Sequence, residues 1–129
     1  MNRLKLLLVE NSRTARAFMS VLLTQSGFDI TAVPSGSEAQ SYLAQNKVDV
    51  VIMDVFMPLM NGYEVTKLIR ESNTPFANIP IIAYTASQHE QDKLLCIKSG
   101  MNEVIVKSDD NVELVNWLNN FQKQRSQPT

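Results

Sequence analysis

The sequence predicts an α/β fold in which five parallel strands form one sheet with helices on both faces. Two observations predict it. Five short apolar runs recur along the chain, and a segment with helical signals follows each of them. The pattern fills 129 residues without an internal linker or low-complexity stretch, so we expect one domain. A chain of this length can bury a sufficient core without disulfides or a structural metal.

The strands are predicted from runs of β-branched and other apolar residues. The runs are LKLLLV at 4–9, FDITAV at 28–33, VDVVIM at 48–53, IPIIAY at 79–84 and MNEVIV at 101–106. The first, third and fourth runs are almost continuously apolar, which is typical of central strands that are buried on both faces. The second run alternates more between polar and apolar residues, so we expect it at an edge of the sheet.

Between the strands, helices are predicted from capping residues, stop signals and apolar residues at helical spacing. The segments are 12–27, which starts at Ser12 and stops at Gly27, then 35–46, 61–72, 87–100 and 109–124. In the fourth helix we expect Ser87 to be the cap and Leu94 and Ile97 to face the core. The predicted domain spans 1–123, and 124–129 is interpreted as a polar tail or the start of a linker.

Composition and charge argue against several functions. The net charge is −1, so the chain lacks the basic excess of a nucleic-acid-binding domain. The longest apolar run, residues 6–9, is far too short for a membrane span, and the first residues lack a signal-peptide core. The single cysteine, Cys96, has no partner for a disulfide within the chain. We expect it to be a small buried side chain in a protein of the reducing cytoplasm.

Polar and charged side chains stand where the predicted strands end. Glu10 and Asn11 follow the first strand, Asp54 the third, Thr85 the fourth and Lys107 the fifth. In a parallel α/β sheet, functional groups collect just beyond the carboxyl ends of the strands. We therefore expect two carboxylates, an amide, a hydroxyl and an ammonium to face one crevice. This also explains why a single charge ends a buried apolar segment, where it would otherwise be costly.

Each of these residues also has a plain structural interpretation. Thr85 alone could be a turn or cap hydroxyl, and Lys107 alone could be a surface lysine. Glu10 could be an acid at a helix start, where the helix dipole favours it. His89, the only histidine, is interpreted as an exposed residue on the first turn of a helix. The joint placement at the strand ends favours the functional interpretation of the others.

Four motifs, in this order and spacing, resemble those of the receiver domains of two-component response regulators. They are LLLVEN at 6–11, VIMDVFMPLMNGYE at 51–64, PIIAYTA at 80–86 and GMNEVIVK at 100–107. The resemblance extends from about Leu4 to Phe121. It implies a doubly wound, flavodoxin-like sheet with strand order 2-1-3-4-5.

The resemblance implies roles for the residues at the strand ends. Asp54 is the phosphoacceptor, Thr85 is the switch hydroxyl and Lys107 is the charge partner of the phosphoryl group. The chemistry agrees, because a carboxylate can attack a phosphoryl group in line when the charge of the phosphoryl oxygens is neutralised. Beyond self-phosphorylation and slow autodephosphorylation, we expect no independent turnover.

The resemblance also implies Mg²⁺, a hard ion that takes oxygen ligands. The implied ligands are Glu10, Asn11, Asp54 and the backbone carbonyl of Phe56. In this family position 11 usually carries a second acid, so the amide removes one formal charge from the site. We therefore expect weakened Mg²⁺ binding.

Two positions beside Lys107 also depart from the family pattern. Ser108 replaces a proline that commonly follows a cis bond in the family. A cis bond before serine costs about 2.5–4 kcal/mol, so we expect a trans bond and a differently routed loop. Val104 replaces an aromatic residue, so the aromatic half of the family's hydroxyl–aromatic switch is missing or replaced.

Two functions of different classes remain open. The first is a phosphoacceptor receiver domain of a response regulator or hybrid kinase, which takes a phosphoryl group from a histidine kinase or a histidine phosphotransfer domain and switches a partner surface. The alternative is a degenerate receiver that acts as a protein-interaction module without phosphorylation. A flavodoxin-like cofactor enzyme is disfavoured, because ENSRTAR at 10–16 carries an acid where a phosphate-binding loop needs backbone donors.

In this family the last two strand–helix units form the face that binds dimer partners or effectors. That face is residues 79–123 here, and it carries acidic and neutral residues such as Glu90, Asp92 and Glu113. We expect a homodimer or an effector on this face. We do not expect this domain to bind nucleic acid or a membrane.

Overall fold

Five strands alternate with five helices in the residues that the computed structural model describes, 3–55 and 61–126. The strands are β1 (Lys5–Val9), β2 (Asp29–Val33), β3 (Val50–Asp54), β4 (Ile81–Thr85) and β5 (Glu103–Val106). The helices are α1 (Arg13–Gln25), α2 (Gly36–Gln45), α3 (Gly62–Glu71), α4 (Glu90–Ser99) and α5 (Val112–Ser126). All neighbouring strands pair in parallel in the order β2-β1-β3-β4-β5, which confirms the predicted sheet and its strand order.

The core lies in two layers, one on each face of the sheet. Side chains alternate between the faces along each strand, so β1 and β3 contribute to both layers. Leu7 and Val51 belong to the layer under α2, α3 and α4, whereas Leu6 and Ile52 belong to the layer under α1 and α5. All four are buried, as predicted for central strands. β2, whose residues are mostly half-buried, lies at an edge of the sheet as predicted.

The first three helices begin at residues whose side chains cap free backbone amides. The Ser12 hydroxyl accepts a hydrogen bond from the Ala15 amide at the start of α1 (3.2 Å). The Asn61 side chain accepts one from the Glu64 amide at the start of α3 (3.0 Å). After α1 the chain turns at Gly27, whose φ of 100° favours glycine. These caps fix where each helix leaves the sheet edge.

The buried face of α4 differs from the prediction. Leu94 and Ile97 are 57% and 51% exposed, so the expectation that they face the core is wrong. The buried positions of this helix are Cys96 and Ser99. Apolar residues lie on several sides of α4, and the small side chains at 96 and 99 let the helix approach α3 and β5 closely. Cys96 is free and buried, as predicted.

The start of α4 also differs from the prediction. Ser87 is not its cap, because the helix begins at Glu90 with His89 in the capping position. The Ser87 hydroxyl instead accepts a hydrogen bond from the His89 amide in the preceding turn (3.2 Å). His89 itself is exposed, in agreement with its plain interpretation.

The last helix continues beyond position 123, where we expected the domain to end. α5 runs through Ser126, and Arg125 holds its last turn. Nη1 of Arg125 lies 2.8 Å from Oδ1 of Asp49, and its guanidinium lies 5.8 Å from the centre of the Phe121 ring. Residues 124–126 therefore belong to the helix, and the rest of the expected tail lies outside the described residues. No helix in the described part of the chain is both long enough and apolar enough to cross a membrane.

Candidate functional site

Four of the predicted site residues lie together at the carboxyl edge of the sheet. Glu10 follows β1 directly, Asp54 ends β3, Thr85 ends β4 and Lys107 follows β5. The Lys107 ammonium nitrogen lies 3.6 Å from Oε1 of Glu10 and 3.8 Å from Oδ1 of Asp54. The fold thus brings three charged side chains from three different strands into contact. We call Glu10, Asp54 and Lys107 the acid–lysine cluster.

Glu10 belongs both to this cluster and to the start of α1. Its Oε2 accepts a hydrogen bond from the Ser12 amide (2.9 Å), while its Oε1 faces Lys107. Its backbone carbonyl accepts a hydrogen bond from Nη1 of Arg16 (2.9 Å). Glu10 therefore stands at the start of α1 and also contributes a carboxylate to the cluster. The carboxylate is fixed by its own loop, which preorganises this side of the cluster.

The start of α3 packs tightly against the end of β3 and so positions Asp54. The Gly62 amide donates a hydrogen bond to the Val55 carbonyl (2.6 Å). A Cβ atom at position 62 would lie 2.8 Å from the Asp54 carbonyl oxygen and 2.9 Å from Cα of Val55. Because those neighbours are backbone atoms, only glycine permits this approach. The sequence Asn61-Gly62 therefore combines a helix cap with a contact that supports the cluster.

The Thr85 hydroxyl makes a turn hydrogen bond in this structure. Thr85 is buried, and its Oγ1 accepts a hydrogen bond from the Ser87 amide (3.1 Å). The Ser87 hydroxyl donates in turn to a carboxylate oxygen of Asp92 in the first turn of α4. The Thr85 carbonyl accepts a hydrogen bond from the Lys107 amide (2.7 Å). Hydrogen bonds therefore connect Thr85 both to α4, through Ser87, and to the backbone of Lys107.

The remaining predicted metal ligands are Asn11 and Phe56. Asn11 follows Glu10 and is exposed, and its carbonyl accepts a hydrogen bond from Arg16 (3.0 Å). Phe56, whose backbone carbonyl was expected to bind Mg²⁺, lies outside the described residues. Among the described residues, no group of three or more His, Cys, Asp or Glu side chains is placed to hold a metal ion. The cluster offers two carboxylates, and the next residue after Glu10 in the chain carries an amide.

The loop after β5 has the predicted trans bond. The peptide bond between Lys107 and Ser108 is trans, as expected for serine in this position. The Ser108 hydroxyl donates a hydrogen bond to Oδ1 of Asp110 (3.1 Å), which also accepts one from the Val112 amide at the start of α5 (3.2 Å). Val104 packs against the core layer under α2, α3 and α4. Val104 and Lys107 are thus on opposite faces of the sheet.

The sequence interpretation missed two residues that border the cluster, Tyr84 and Asn111. The Tyr84 ring lies below Lys107, whose Nζ is 5.8 Å from the ring centre, and the Tyr84 hydroxyl donates a hydrogen bond to Oδ1 of Asn111. Burial raises the pKa of Tyr84, so the hydroxyl stays protonated as a donor. A signal was present in the sequence: Tyr84 is the one aromatic residue of its strand and directly precedes Thr85.

The strand order and the acid–lysine cluster define a doubly wound α/β domain with its functional groups at the carboxyl edge of the sheet. Residues 6–119 match the family model of the response regulator receiver domain. The chain belongs to the response regulator receiver domain family, as its motifs predicted.

Relatives and solved structures agree with this family. The chain is 38% identical over 112 residues to the CAI-1 autoinducer sensor kinase/phosphatase CqsS of Vibrio cholerae, a match that covers 87% of this chain and 16% of that kinase. The receiver domain of the Francisella response regulator 1452 superposes with a TM-score of 0.85 at 26% identity, over 96% of this chain and 100% of that one. The receiver domain of the sensor histidine kinase PA1611 from Pseudomonas aeruginosa, solved with a magnesium ion coordinated in its active-site cleft, gives a TM-score of 0.80 at 28% identity over 92% of this chain and 97% of that domain.

Proposed function

We propose that this receiver domain accepts a phosphoryl group on Asp54 and that the modification switches a partner-binding surface. The observation that carries the proposal is the contact between Asp54 and the Lys107 ammonium, 3.8 Å apart beside the buried Glu10. A carboxylate next to a fixed cation at the edge of a sheet is suited to nucleophilic attack on a charged phosphoryl group, because the cation neutralises charge on the transferring oxygens.

The transfer needs little covalent chemistry from the protein. A carboxylate oxygen of Asp54 forms a bond to phosphorus while the bond from phosphorus to the donor's histidine nitrogen breaks. The bonding electron pair stays with that nitrogen, and the product on the protein is an acyl phosphate. Lys107 serves as a point charge for a phosphoryl oxygen, a role for which an ammonium on a flexible stem is suited. The rate of such transfers depends mainly on positioning and charge stabilisation.

The oxygen donors of the site fit Mg²⁺. Glu10, Asp54 and the side-chain oxygen of Asn11 would hold the ion together with the backbone carbonyl of Phe56, and all four are hard oxygen ligands. When bound, the ion neutralises phosphoryl charge that Lys107 alone leaves uncompensated. The receiver domain of PA1611, solved with a magnesium ion coordinated in its active-site cleft, supports Mg²⁺ as the ion of this cleft. Because position 11 offers an amide, we propose that binding is weaker than with a second acid.

The phosphoryl group would act on the rest of the domain through Thr85. Its hydroxyl now accepts a hydrogen bond from the Ser87 amide, and that loop is tied to Asp92 of α4. A phosphoryl oxygen on Asp54 offers the hydroxyl a charged acceptor, and charge-assisted hydrogen bonds are stronger than neutral ones. Donation to the phosphoryl oxygen would turn Thr85 and move the loop that precedes α4.

We propose that the switched surface includes α4, within the face formed by residues 79–123. Leu94, Leu95 and Ile97 are all about half exposed there, which is unusual for three large apolar residues on one short helix. A homodimer partner or an effector would cover them. The acidic first turn of α4 argues against nucleic acid on this face, and a histidine kinase or a histidine phosphotransfer domain of the cytoplasm is the proposed phosphodonor.

Incubation with Mg²⁺ and a small phosphodonor, followed by intact-mass measurement, tests the proposal. Wild type should gain the mass of one phosphoryl group and Asp54→Asn should gain none. Asp29→Asn, the same exchange at an exposed position of β2, is the matched control and should behave as wild type. A gain that persists in Asp54→Asn would refute the assignment of the acceptor. No gain in wild type would favour the degenerate receiver instead.

A further inference from the structure

Two positions near Lys107, 104 and 108, do not carry the residues that are usual there in the family. Ser108 stands where the family has proline, and Val104 packs on the opposite face of the sheet from Lys107. The Lys107 side chain is 36% exposed, and a lysine side chain held in one place loses considerable rotamer freedom. The ion pairs with Glu10 and Asp54 restrain its ammonium, and a further contact that fixes the side chain would keep it close to both carboxylates.

The ring of Tyr84 is placed to make such a contact with the Lys107 ammonium. Tyr84 is the residue before Thr85 in β4, it is 4% exposed, and it belongs to the core layer under α1 and α5. Its ring centre lies 5.8 Å from Nζ of Lys107, within the range at which a cation is attracted to the face of an aromatic ring. The ammonium thus has the Tyr84 ring on one side and Glu10 and Asp54 on the other.

Asn111 fixes the Tyr84 ring. A buried tyrosine needs a partner for its hydroxyl, and Oδ1 of Asn111 accepts that hydrogen bond. Asn111 is itself 7% exposed and has a φ of 56°, a left-handed conformation that asparagine tolerates better than most residues. Its carbonyl accepts a hydrogen bond from the Val115 amide in the first turn of α5 (3.2 Å). The side chain that holds the ring is therefore anchored to a helix.

The need for such an anchor follows from the space around the ammonium. A cavity of about 150 Å³ lies between α1 and the loop after β5, and Phe18, Tyr84, Lys107 and Asn111 contribute to its wall. Glu10 and Asp54 line the same cavity, so the ammonium has room to shift relative to both carboxylates, and removal of the Tyr84 ring would enlarge that room.

We propose that Tyr84 and Asn111 are positioning residues for Lys107: Asn111 fixes the Tyr84 ring, and the ring holds the ammonium between Glu10 and Asp54. The proposal rests on the proposed phosphorylation of Asp54. It assigns to the pair a restraint on Lys107 that adds to the ion pairs with Glu10 and Asp54.

Three substitutions separate the parts of this arrangement. Tyr84→Leu removes the ring, Tyr84→Phe removes only the hydroxyl, and Asn111→Gly removes the amide while permitting the left-handed φ. Ile82→Val is the matched control, because Ile82 is buried in the same strand and the same core layer. It disturbs packing without touching the ring–ammonium contact.

The first measurement is made on the unphosphorylated protein by NMR. Aromatic rings displace the resonances of protons near their faces, so the side-chain protons of Lys107 report the contact with Tyr84 directly. We expect a ring-current shift of the Lys107 side-chain signals in wild type. This shift should be lost in Tyr84→Leu and partly lost in Tyr84→Phe and Asn111→Gly. Ile82→Val should retain it. An unchanged Lys107 signal in Tyr84→Leu would overturn the proposal, whatever the phosphorylation results.

The second measurement is the rate of phosphorylation by a small phosphodonor at saturating Mg²⁺. Because Lys107 acts on the transferring group, the maximal rate should fall while the donor concentration at half-maximal rate stays constant. We expect a fall of about fivefold for Tyr84→Leu, from the usual strength of a cation–ring contact. Tyr84→Phe and Asn111→Gly should each show about a twofold to threefold fall, and their combination should be no worse than either alone.

Two kinetic results would overturn the proposal: Ile82→Val as slow as Tyr84→Leu, or additive effects of Tyr84→Phe and Asn111→Gly. Failure of the proposed function has a different signature, since wild type would then gain no phosphoryl group on Asp54 while the Lys107 spectrum still reports whether the ring holds the ammonium.

Discussion

Asp49 and Arg125 form an ion pair that joins the start of β3 to the end of α5, with 2.8 Å between Oδ1 and Nη1. Oδ2 of Asp49 also accepts a hydrogen bond from the Lys5 amide at the start of β1 (2.8 Å). Burial acts to raise the pKa of Asp49, but the hydrogen bond from Lys5 and the bond and charge of Arg125 outweigh it, so the pKa lies below its ordinary value. The folded state therefore favours the ionised carboxylate.

The first prediction is that this ion pair makes stability depend on pH. A carboxyl group whose folded pKa is depressed stabilises the fold above its unfolded pKa, here near 3.8, and that contribution is lost as pH falls through the folded value. At pH 7 we expect Asp49→Asn to lower the free energy of unfolding by about 1–3 kcal/mol. The difference should shrink as pH falls below 3.8, because the unfolded chain then takes up a proton that the folded carboxylate does not. Urea unfolding at several pH values measures it.

Asp29→Asn is the control for this prediction, because it makes the same exchange at an exposed residue. It should match wild type at every pH. A difference between Asp49→Asn and wild type that stays constant from pH 7 to pH 3 would show that the charge of Asp49 is not what matters.

A second polar network at the amino edge of the sheet is centred on Arg70, in the last turn of α3. Nε donates to the Gly100 carbonyl (2.9 Å), Nη1 donates to the carbonyls of Ala77 (2.9 Å) and Ile79 (2.6 Å), and Nη2 donates to Oδ1 of Asn102 (2.8 Å). Burial lowers the pKa of Arg70. One guanidinium thus joins α3 to the loops that lead into β4 and β5.

The second prediction is that lysine cannot replace Arg70. A single ammonium nitrogen cannot reach acceptors spread over several loops, so buried carbonyls would lose their donors. We expect Arg70→Lys to lower the free energy of unfolding by about 2–3 kcal/mol. Arg13→Lys, at an exposed position of α1, should change it by no more than about 0.5 kcal/mol. Denaturant unfolding of both variants checks this. If Arg70→Lys and Arg13→Lys unfold at the same denaturant concentration, the several hydrogen bonds of the Arg70 guanidinium do not contribute to stability as proposed.

The third prediction concerns Gly62, where α3 approaches the backbone of Asp54. In Gly62→Ala the new methyl group meets backbone atoms at 2.8–2.9 Å, so the helix or the end of β3 must shift. We expect a loss of about 1–3 kcal/mol in the free energy of unfolding. We also expect slower phosphorylation of Asp54, since its carbonyl is one of the atoms that must move.

Gly27→Ala separates the loss of stability from the slower phosphorylation expected for Gly62→Ala. Position 27 has a φ of 100° and no atom within 4 Å of an added Cβ, so alanine there strains the backbone without a collision. It should lower the free energy of unfolding by about 1–2 kcal/mol and leave the phosphorylation rate at the wild-type value. If both alanine variants slow phosphorylation in proportion to their lost stability, the contact at Gly62 has no specific role in the site.

The position of the site was predictable from sequence because it follows from strand ends. Glu10, Asp54, Thr85 and Lys107 each stand at the end of an apolar run, and a parallel sheet aligns those ends at one edge. Only the boundaries differ: Asp54 and Thr85 are the last residues of their strands instead of the first residues after them. A shift of one position does not move a side chain away from the edge.

Contacts between elements were not predictable in the same way. Asp49 reaches Lys5, 44 positions away, and Arg70 reaches Gly100, 30 positions away. Periodicity describes one element at a time, so it carries no information on which polar side chains pair across loops. The same limit explains the error for α4, where helical periodicity does not show that Leu94 and Ile97 would be exposed.

The last prediction is that Asn11→Asp tightens Mg²⁺ binding. Position 11 follows Glu10 and is exposed, so a carboxylate there would add a charged oxygen to the donor set of Glu10 and Asp54. The attraction between a carboxylate and a divalent ion is large at short range but reduced by solvent, so we expect about tenfold tighter binding. Calorimetric titration measures it.

The same substitution should act in the opposite direction when Mg²⁺ is removed. A new carboxylate beside Glu10 adds repulsion that the nearby cations Lys107 and Arg16 offset only in part, so the Tm of Asn11→Asp in chelator should lie below that of wild type. Added Mg²⁺ should then raise its Tm more than it raises that of wild type, because tighter binding to the folded state stabilises it more. Asn119→Asp, an equal charge change at an exposed position of α5, should match wild type in both measurements. If Asn11→Asp and wild type bind Mg²⁺ equally and gain the same Tm from it, the side chain at position 11 is not a ligand.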